Sequence, residues 1–387
     1  MTDSQGVISR IDWRGLFPWL ILFRTFRIAI SPTLLLLAAA AVLIAPLGWL
    51  LAERVFLTTD ERVALRATNA LPPRAENSQL ADSLPLAPRA YLPVAVRTAL
   101  LESYFDLAEP LSRFFRFDIS LGQAAYYAFG FLWTLALWAF PGGLITRRAI
   151  VQLATDTAPA LAPTARFAGR RYLWYALTPF YPLVGVLLLA APIAFLGLGL
   201  RLSIGFGSVL AGLVWLLVVV AGLGALWLLG GLLFGWPLMW PTISAERDGD
   251  PFEAFSRSFS YVYGKPLNYF FYVVIAAAFG ALCWAVVAGA ALIVQEFGFW
   301  ALSWGGGGEA VRELHDRALE VAAGRFPPKE VSRGLAVGAT LIGWCVALIH
   351  AVRDAFRFSF FFTAASAIYL LLRHDVDEKE MDEVHLE

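Results

Sequence analysis

Residues 208–238 read SVLAGLVWLLVVVAGLGALWLLGGLLFGWPL, a run without a single charged side chain. About 20 apolar residues in a helix cross the ~30 Å hydrocarbon core of a bilayer, so this run is long enough to span it. Comparable apolar runs recur at 33–52, 119–141, 173–199, 267–294 and 335–372. The sequence therefore predicts an all-α, polytopic integral membrane bundle of about six transmembrane helices, with amphipathic helices at the membrane interface.

The composition favours the same class of protein. Hydrophobic residues make up 59% of the chain and charged residues 16%, and the formal net charge is zero. A soluble domain carries about 25% charged residues. Since the net charge gives no reason to expect a nucleic-acid partner, the expected partners are membrane lipids, other membrane proteins or a second copy of the chain.

Polar flanks divide the chain into three predicted parts. They are an amino-terminal segment at 1–32, a membrane domain at 33–372 and an acidic tail at 373–387. The membrane domain includes two long connections, 53–118 and 296–334, which contain helical patches predicted at 94–108 and 309–323. We expect the acidic tail to be solvated and mobile.

Arginines predict the orientation of the spans. They are concentrated before the first span and between the second and third, at Arg10, Arg14, Arg24, Arg27, Arg147, Arg148, Arg166, Arg170 and Arg171. Because basic flanks stay in the cytoplasm, we expect both termini to be cytoplasmic. The prediction is a multi-pass protein of a bacterial inner membrane.

A polar stretch, DGDPFEAFSRSFSYVYG (248–264), separates the fourth and fifth spans. Asp250 suits the N-cap, Pro251 the first helical position, and Gly264 the end of a helix. The aromatic and apolar positions share one helical face, and the polar ones lie on the other: Phe252, Phe255, Phe259 and Val262 against Ser256, Arg257 and Ser260. We predict a helix at 250–263 that lies flat at the membrane surface, with its aromatic face among headgroups and its polar face in water.

The same stretch and the end of the last span carry two motifs. Their positions are Trp240, Pro241, Glu246, Glu253, Ala254, Phe255, Ser258 and Gly264 in the first motif, and Tyr369 and Arg373 in the second. In this pattern the chain resembles the glycerophosphodiester phosphodiesterase membrane-domain family and its Yip1-like, uncharacterised bacterial relatives. The resemblance implies a compact six-helix membrane bundle and little chemistry. Some members of that family are fused to a phosphodiesterase domain, of which this sequence shows no sign.

The last apolar segment contains HAVRDAFR (350–357), whose charged and polar members share one helical face. They are His350, Arg353, Asp354 and Arg357, at i, i+3, i+4 and i+7. Each charge at membrane depth costs at least ~2.5 kcal/mol, so this face should point to the bundle interior, a water-filled cavity or the interface. This face could line a site for an anionic headgroup or a proton path. Alternatively, it forms a structural ion pair, or the helix has already left the hydrocarbon by residue 353. A break that makes two spans of 335–372 is a third alternative.

The sequence lacks the standard catalytic signatures, including H-E-x-x-H, G-x-x-x-x-G-K and G-x-S-x-G. Its four histidines are scattered, so we expect no catalytic, cofactor or metal site. The leading hypothesis is a non-enzymatic envelope protein that organises or handles membrane components, either lipid or partner helices. The alternatives are a transporter or channel with a polar lining at 350–357, and an intramembrane lipid-processing enzyme that uses His350 and Asp354.

Overall fold

The computed structural model describes residues 16–70, 99–114, 119–247, 249–324 and 332–385, and every regular element within them is a helix. A 3-10 helix, Pro18–Arg24, comes first. The helices that follow it are α1 (Thr25–Ala29), α2 (Pro32–Phe56), α3 (Thr59–Ala70), α4 (Ala99–Phe114), α5 (Leu121–Thr155), α6 (Leu161–Arg170), α7 (Tyr172–Leu177), α8 (Phe180–Leu202), α9 (Ile204–Ala245), α10 (Pro251–Gly264), α11 (Pro266–Gly306), α12 (Gly308–Ala322) and α13 (Arg333–Asp377).

Six stretches are long and apolar enough to cross a membrane, which confirms the predicted all-α polytopic bundle. They correspond to α2, α5, α7 with α8, α9, α11 and α13. The third span is divided at Thr178–Pro179, where Thr178 Oγ1 donates to the Trp174 carbonyl at 2.6 Å. The second span, predicted to end at residue 141, continues to Thr155 because Pro141 lies within the helix without ending it.

The last span is one continuous helix of 45 residues, α13, so the alternative of two separate spans is wrong. At 1.5 Å per residue it is ~68 Å long, about twice the hydrocarbon thickness. Its first half exposes large apolar side chains such as Val337 and Trp344, whereas Phe360 and Leu372 in its second half are fully buried. The helix therefore has one half suited to lipid and one half packed within the protein.

The two long connections also contain helices. Of the patch predicted at 94–108, residues 94–98 lie outside the described residues and 99–108 form the first part of α4, which continues to Phe114. The patch predicted at 309–323 is observed as α12. Between α11 and α12 the chain turns at Gly307, whose φ of 75° favours glycine. The Pro-rich segment at 72–93 lies outside the described residues.

Contacts group the chain into two compact units. Unit 1 consists of Met1–Ile28, Gly143–Ala276 and Phe362–Glu387, and unit 2 of Ala29–Gly142 and Ala277–Phe361. The positions of both motifs belong to unit 1: those of the first motif lie at 240–264, and those of the second are Tyr369 and Arg373. The polar face at 350–357 belongs to unit 2. The three-part division at residues 32 and 372 stays a prediction.

In unit 1, α10 packs closely on α9 because glycines line the α9 side. A Cβ atom added at Gly231 would lie 2.1 Å from the Phe259 ring, and one at Gly235 would touch Ser258. The start of α10 is the predicted one: the Asp250 carboxylate accepts from the Glu253 backbone N–H at 2.7 Å.

Candidate functional site

The predicted polar face on α13 is a set of ion pairs in unit 2. Arg353 Nε donates to Asp354 Oδ1 at 3.1 Å, and Arg357 Nε lies 3.8 Å from the same oxygen. The Trp284 ring lies beside both guanidinium groups, 5.8 Å from Arg353 Cζ and 5.7 Å from Arg357 Cζ. Asp354 thus lies between two arginines, and an aromatic face on α11 offsets part of their desolvation.

Helix α4 supplies a second carboxylate to this face. Asp106 Oδ2 lies 3.4 Å from Arg357 Nη2. One turn further along α4, Glu109 pairs with Arg113. The side chains of Asp106, Asp354 and Arg357 are all between a fifth and a third exposed, so the cluster is partly open.

His350 has a different partner from the three charged residues. Its Nε2 lies 3.0 Å from the Gln295 side-chain oxygen on α11, and Gln295 is buried. The Gln295 amide also donates to Glu296 at 2.9 Å. The structure therefore separates His350, which contacts an amide, from the arginines and Asp354, which contact each other.

A cavity of about 450 Å³ opens beside the polar face. Its charged lining consists of Glu53, Asp106, Asp354 and Arg357. Its apolar lining includes Val42, Ala45, Leu50, Trp138 and Phe358. The cavity therefore offers hydrocarbon contacts and charged groups to the same ligand, which is the combination that an amphiphile needs.

A second cavity of about 360 Å³ shares part of this lining. Trp49, Asp106 and Tyr126 line both cavities, and Glu109 and Arg113 line the second. The indole of Trp49 packs edge-to-face on Tyr126, with ring centroids 5.2 Å apart. Because this aromatic pair and Asp106 are common to both cavities, the two cavities are neighbours along α4.

The motif residues meet in unit 1 at Glu246. Arg373 Nε lies 2.9 Å from Glu246 Oε1, and the Tyr369 hydroxyl donates to that oxygen at 2.9 Å. Arg257 Nη1 lies 3.6 Å away from it, and Lys379 Nζ lies 3.8 Å from Glu246 Oε2. The Glu246 and Arg373 side chains are 11% and 4% exposed. Glu246 is thus a nearly buried carboxylate whose charge is compensated several times over.

Two further carboxylates at the end of α13 complete this cluster. Asp377 accepts from Arg257 Nη1 at 2.9 Å and from the Tyr261 hydroxyl at 2.7 Å. Asp375 accepts from the Tyr272 hydroxyl at 2.8 Å. These bonds join α10 and α11 to the carboxyl-terminal end of α13.

These contacts decide the protonation of two side chains on α10, Tyr261 and Arg257. Burial raises the pKa of the Tyr261 phenol, and its hydrogen bond to Asp377 raises it further. Burial lowers the pKa of the Arg257 guanidinium, but the hydrogen bond with Tyr261 and the charge of Glu246 outweigh burial, so that pKa lies above its ordinary value. Both groups therefore keep their protons at neutral pH and act as donors to the carboxylates.

Arg257 differs from its expected placement. The sequence pattern places it on a water-facing side of α10 with Ser256 and Ser260, which are indeed exposed. Its side chain instead is about three-quarters buried, and Glu246, Glu253 and Asp377 converge on its guanidinium group. Charge compensation outweighs hydration for this side chain.

The remaining motif positions support packing around this cluster. Trp240 is buried, donates from Nε1 to the Tyr175 carbonyl at 2.9 Å and stacks on Phe362. The others are Pro241 within α9, Glu253 paired with Arg257, Ala254 and Ser258 on the buried side of α10, Phe255 half-buried, and Gly264 exposed at the end of α10. The structure therefore brings Glu246, Tyr369 and Arg373 into direct contact and leaves Gly264 apart.

The carboxyl end of α9 is capped by two arginines. Arg147 Nη1 donates to the Ser244 carbonyl at 2.7 Å, and Arg171 Nη1 donates to the Ile243 carbonyl at 2.7 Å and the Glu246 carbonyl at 3.1 Å. Guanidinium groups at this end of a helix complement its negative dipole.

The acidic tail contacts the same place, unlike the mobile tail expected from sequence. The His385 backbone N–H donates to the Ala245 carbonyl at 3.0 Å, and Arg147 Nη1 donates to the His385 carbonyl at 2.6 Å. The chain turns back at Glu378, which has a φ of 54°. Residues 378–385 therefore form a segment that returns from α13 to the end of α9.

Several residues of these clusters were not found from sequence. Asp106, Glu109 and Arg113 have the helical spacing of one face, a signal that was available. Lys379 has no comparable signal, because its approach to Glu246 depends on the turn at Glu378. Among the described residues, no group of His, Cys, Asp and Glu is arranged to hold a metal ion.

No family model matches the chain, and neither a curated protein nor a solved structure is similar enough to match it. The resemblance to the glycerophosphodiester phosphodiesterase membrane-domain family therefore stays a prediction. The class of the protein rests on the chain itself, whose long apolar helices make it a multi-pass membrane protein.

Proposed function

We propose that the protein is a non-enzymatic membrane protein that binds a lipid-like amphiphile in the larger cavity of unit 2. One observation carries this proposal: the lining of that cavity changes from apolar to charged along a single membrane helix. Val42, Ala45, Trp49 and Glu53 of α2 all line it. They follow each other at three- and four-residue steps and so share one helical face.

The length of this lined face suits the head and upper chain of a lipid. From Val42 to Glu53 the helix rises ~16 Å, at 1.5 Å per residue. The cavity volume of about 450 Å³ falls within the ~300–1,000 Å³ of small-molecule sites. An acyl chain would lie along Val42 and Ala45, and a polar head would lie towards Glu53.

The charged side of the cavity can bind a cationic, an anionic or a zwitterionic headgroup. Asp106 and Asp354 provide acceptors, and Arg357 provides donors. Both carboxylates contact Arg357, so the three side chains are held in place before a ligand binds. Such preorganisation reduces the entropy lost on binding.

The test is a native mass spectrum of the full chain released from lipid nanodiscs. Ala45→Phe adds a ring to the apolar side of the cavity and should remove the retained lipid. Ala40→Phe adds the same ring to an exposed position of α2 and should leave lipid retention unchanged. Equal lipid retention by both variants would sink the proposal.

The polar side can be tested separately. Asp106→Asn keeps the size of the side chain and removes its charge, so it should weaken retention of the lipid by about tenfold, the loss of one charged hydrogen bond of ~1.5 kcal/mol. Asp106→Glu restores the charge and should recover most of the retention. A lipid that remains bound in Asp106→Asn but not in Ala45→Phe would show that only the acyl chain is recognised.

A transporter or channel is the second candidate, favoured by the row of polar side chains from His350 to Arg357 on a helix that spans the membrane. In that case Asp354→Asn should change the flux of a cation or a polar solute into proteoliposomes. Wild-type protein that conducts no solute in this assay would eliminate this candidate.

We infer from the arginine pattern that both termini face the cytoplasm of a bacterial cell. The variant His385→Cys, made in a chain that also carries Cys283→Ala and Cys345→Ala, should react with a membrane-impermeant maleimide only after the inner membrane is opened. Labelling of intact spheroplasts would reverse the orientation.

A further inference from the structure

Helix α6 joins the second and third spans and has one buried and one exposed side. Thr164 and Ala168 are buried, whereas Arg166 and Arg170 are exposed. The two arginines are one helical turn apart, with their Cβ atoms about 6 Å from each other. The exposed side of α6 is therefore a pair of neighbouring cations.

The structure divides the basic residues of this connection into two sets. Arg147 and Arg171 face inward: both donate to carbonyls at the end of α9, and their guanidinium carbons lie 4.1 and 4.4 Å from the centre of the Phe167 ring. Phe167 belongs to α6, so these contacts fix α6 in position. The side chains of Arg166 and Arg170 make no hydrogen bond or ion pair with any described residue.

The one acidic residue of this connection does not neutralise α6. Asp156 pairs with Arg24, which also donates to the Leu153 carbonyl at 3.2 Å. The pair occupies Asp156 at the end of α5. The charge on the exposed side of α6 thus remains positive.

Exposed leucines adjoin the arginines along the chain. Leu173 is 63% and Leu177 49% exposed, and both belong to the start of the third span. Arg170 precedes Leu173 by three residues. A chain that passes from exposed arginines to an exposed leucine within three residues matches the passage from lipid headgroups to hydrocarbon.

We propose that α6 is a docking surface for anionic phospholipid, with the lipid phosphate held by Arg166 and Arg170 and the upper acyl chain against Leu173 and Leu177. Charge complementarity selects this occupant over a zwitterionic lipid, because two guanidinium groups meet a net negative headgroup. The fixed position of α6 distinguishes this surface from a flexible basic loop. The site lies in unit 1 and is separate from the cavity of unit 2, so it extends the proposed function to a second lipid chemistry.

The experiment titrates short-chain phosphatidylglycerol, and in parallel short-chain phosphatidylcholine, into the detergent-solubilised full chain and reads each bound state by native mass spectrometry. Arg166→Gln with Arg170→Gln should weaken phosphatidylglycerol binding about 25-fold, about fivefold for each arginine, and leave phosphatidylcholine binding unchanged. Arg166→Lys with Arg170→Lys keeps both charges and should retain most of the preference.

A matched pair elsewhere controls for the loss of two charges. Arg312 and Arg333 are also exposed, and Arg312→Gln with Arg333→Gln should keep the wild-type preference for phosphatidylglycerol. The Ala45→Phe variant should keep it as well, because the cavity of unit 2 is not involved. The proposal is overturned if the variant with Arg166→Gln and Arg170→Gln binds phosphatidylglycerol as tightly as wild type does. It is also overturned if the variant with Arg312→Gln and Arg333→Gln loses as much phosphatidylglycerol affinity.

Discussion

Glu246 and Arg373 form an ion pair that is almost completely removed from solvent, with 2.9 Å between Glu246 Oε1 and Arg373 Nε. Glu246 is the C-cap residue directly after α9, and Arg373 lies in the last turns of α13. Both residues belong to the motifs noted in the sequence, and Tyr369 donates to the same carboxylate. The contact therefore gives the two distant motifs one structural purpose, which is to join α9 to α13 in unit 1.

Loss of the Glu246 charge should destabilise unit 1 strongly. Glu246→Gln leaves the buried Arg373 without its counter-ion, and breaking a buried pair in this way costs about 3–5 kcal/mol. Glu253→Gln removes a carboxylate that pairs with Arg257 one turn away on α10 and should cost no more than about 0.5 kcal/mol. Unfolding midpoints in detergent compare the two, and similar midpoints would contradict the assigned importance of Glu246.

Tyr261→Phe should make stability less sensitive to alkaline pH. Burial and the bond to Asp377 raise the pKa of Tyr261 above its ordinary value of about 10, so the folded state holds this proton more tightly than the unfolded state. The resulting stability is complete below pH ~10 and declines as pH rises towards the pKa of the folded protein. The advantage of wild type over Tyr261→Phe, about 1–2 kcal/mol at neutral pH, should thus shrink above pH ~10.

Denaturation curves of the two proteins at a series of alkaline pH values make this measurement. Tyr263→Phe is the comparison on the exposed side of α10, because its hydroxyl donates to a backbone carbonyl and burial alone raises its pKa, so its difference from wild type should shrink less above pH ~10. A constant difference between wild type and Tyr261→Phe across pH would refute the role assigned to the Asp377 contact.

The returning segment at 378–385 should be protected in hydrogen exchange because of Arg147. Arg147→Gln removes the guanidinium that donates to the His385 carbonyl and should speed exchange of the carboxyl-terminal peptide by about tenfold, equal to ~1.4 kcal/mol. Arg148→Gln changes the adjacent, half-buried arginine and should leave the exchange of that peptide as it is. Rapid exchange of this peptide already in wild type would mean that the segment does not stay on α9.

The same substitution at two glycines of α9 should change the free energy of unfolding in opposite directions. Gly231→Ala puts a methyl group against the Phe259 ring, which is buried and packed on Phe255 and Trp227, so it should cost about 1–3 kcal/mol. Gly222→Ala meets nothing within 4 Å and should stabilise the helix by up to about 1 kcal/mol. The midpoint temperatures of thermal unfolding of both variants measure this difference. Equal shifts of the two midpoints from wild type would show that α10 does not pack on α9 as described.

The sequence alone was enough to predict the six spans and α10, but not the short helices α3 and α6. Apolar length determines a span, and the Asp250, Pro251 and Gly264 signals around α10 act through bonds within a few residues, so both features can be read locally. The same locality explains the errors. The second span was predicted to end at residue 141, but α5 continues through Pro141 to Thr155. The polar pattern of α10 places Arg257 in water because it contains no information about Glu246 or Asp377.

Charge partners were decided by the tertiary structure. Tyr369 and Glu246 are 123 positions apart in the chain, and Arg257 and Asp377 are 120 apart, so no periodicity links them. The sequence showed that His350, Arg353, Asp354 and Arg357 share a face, but not that α4 brings Asp106 to it. A helix pattern determines which side chains lie together on one helix, because that geometry repeats every 3.6 residues. Which helix that face then meets depends on how the whole chain packs, where the need to compensate each buried charge selects the arrangement.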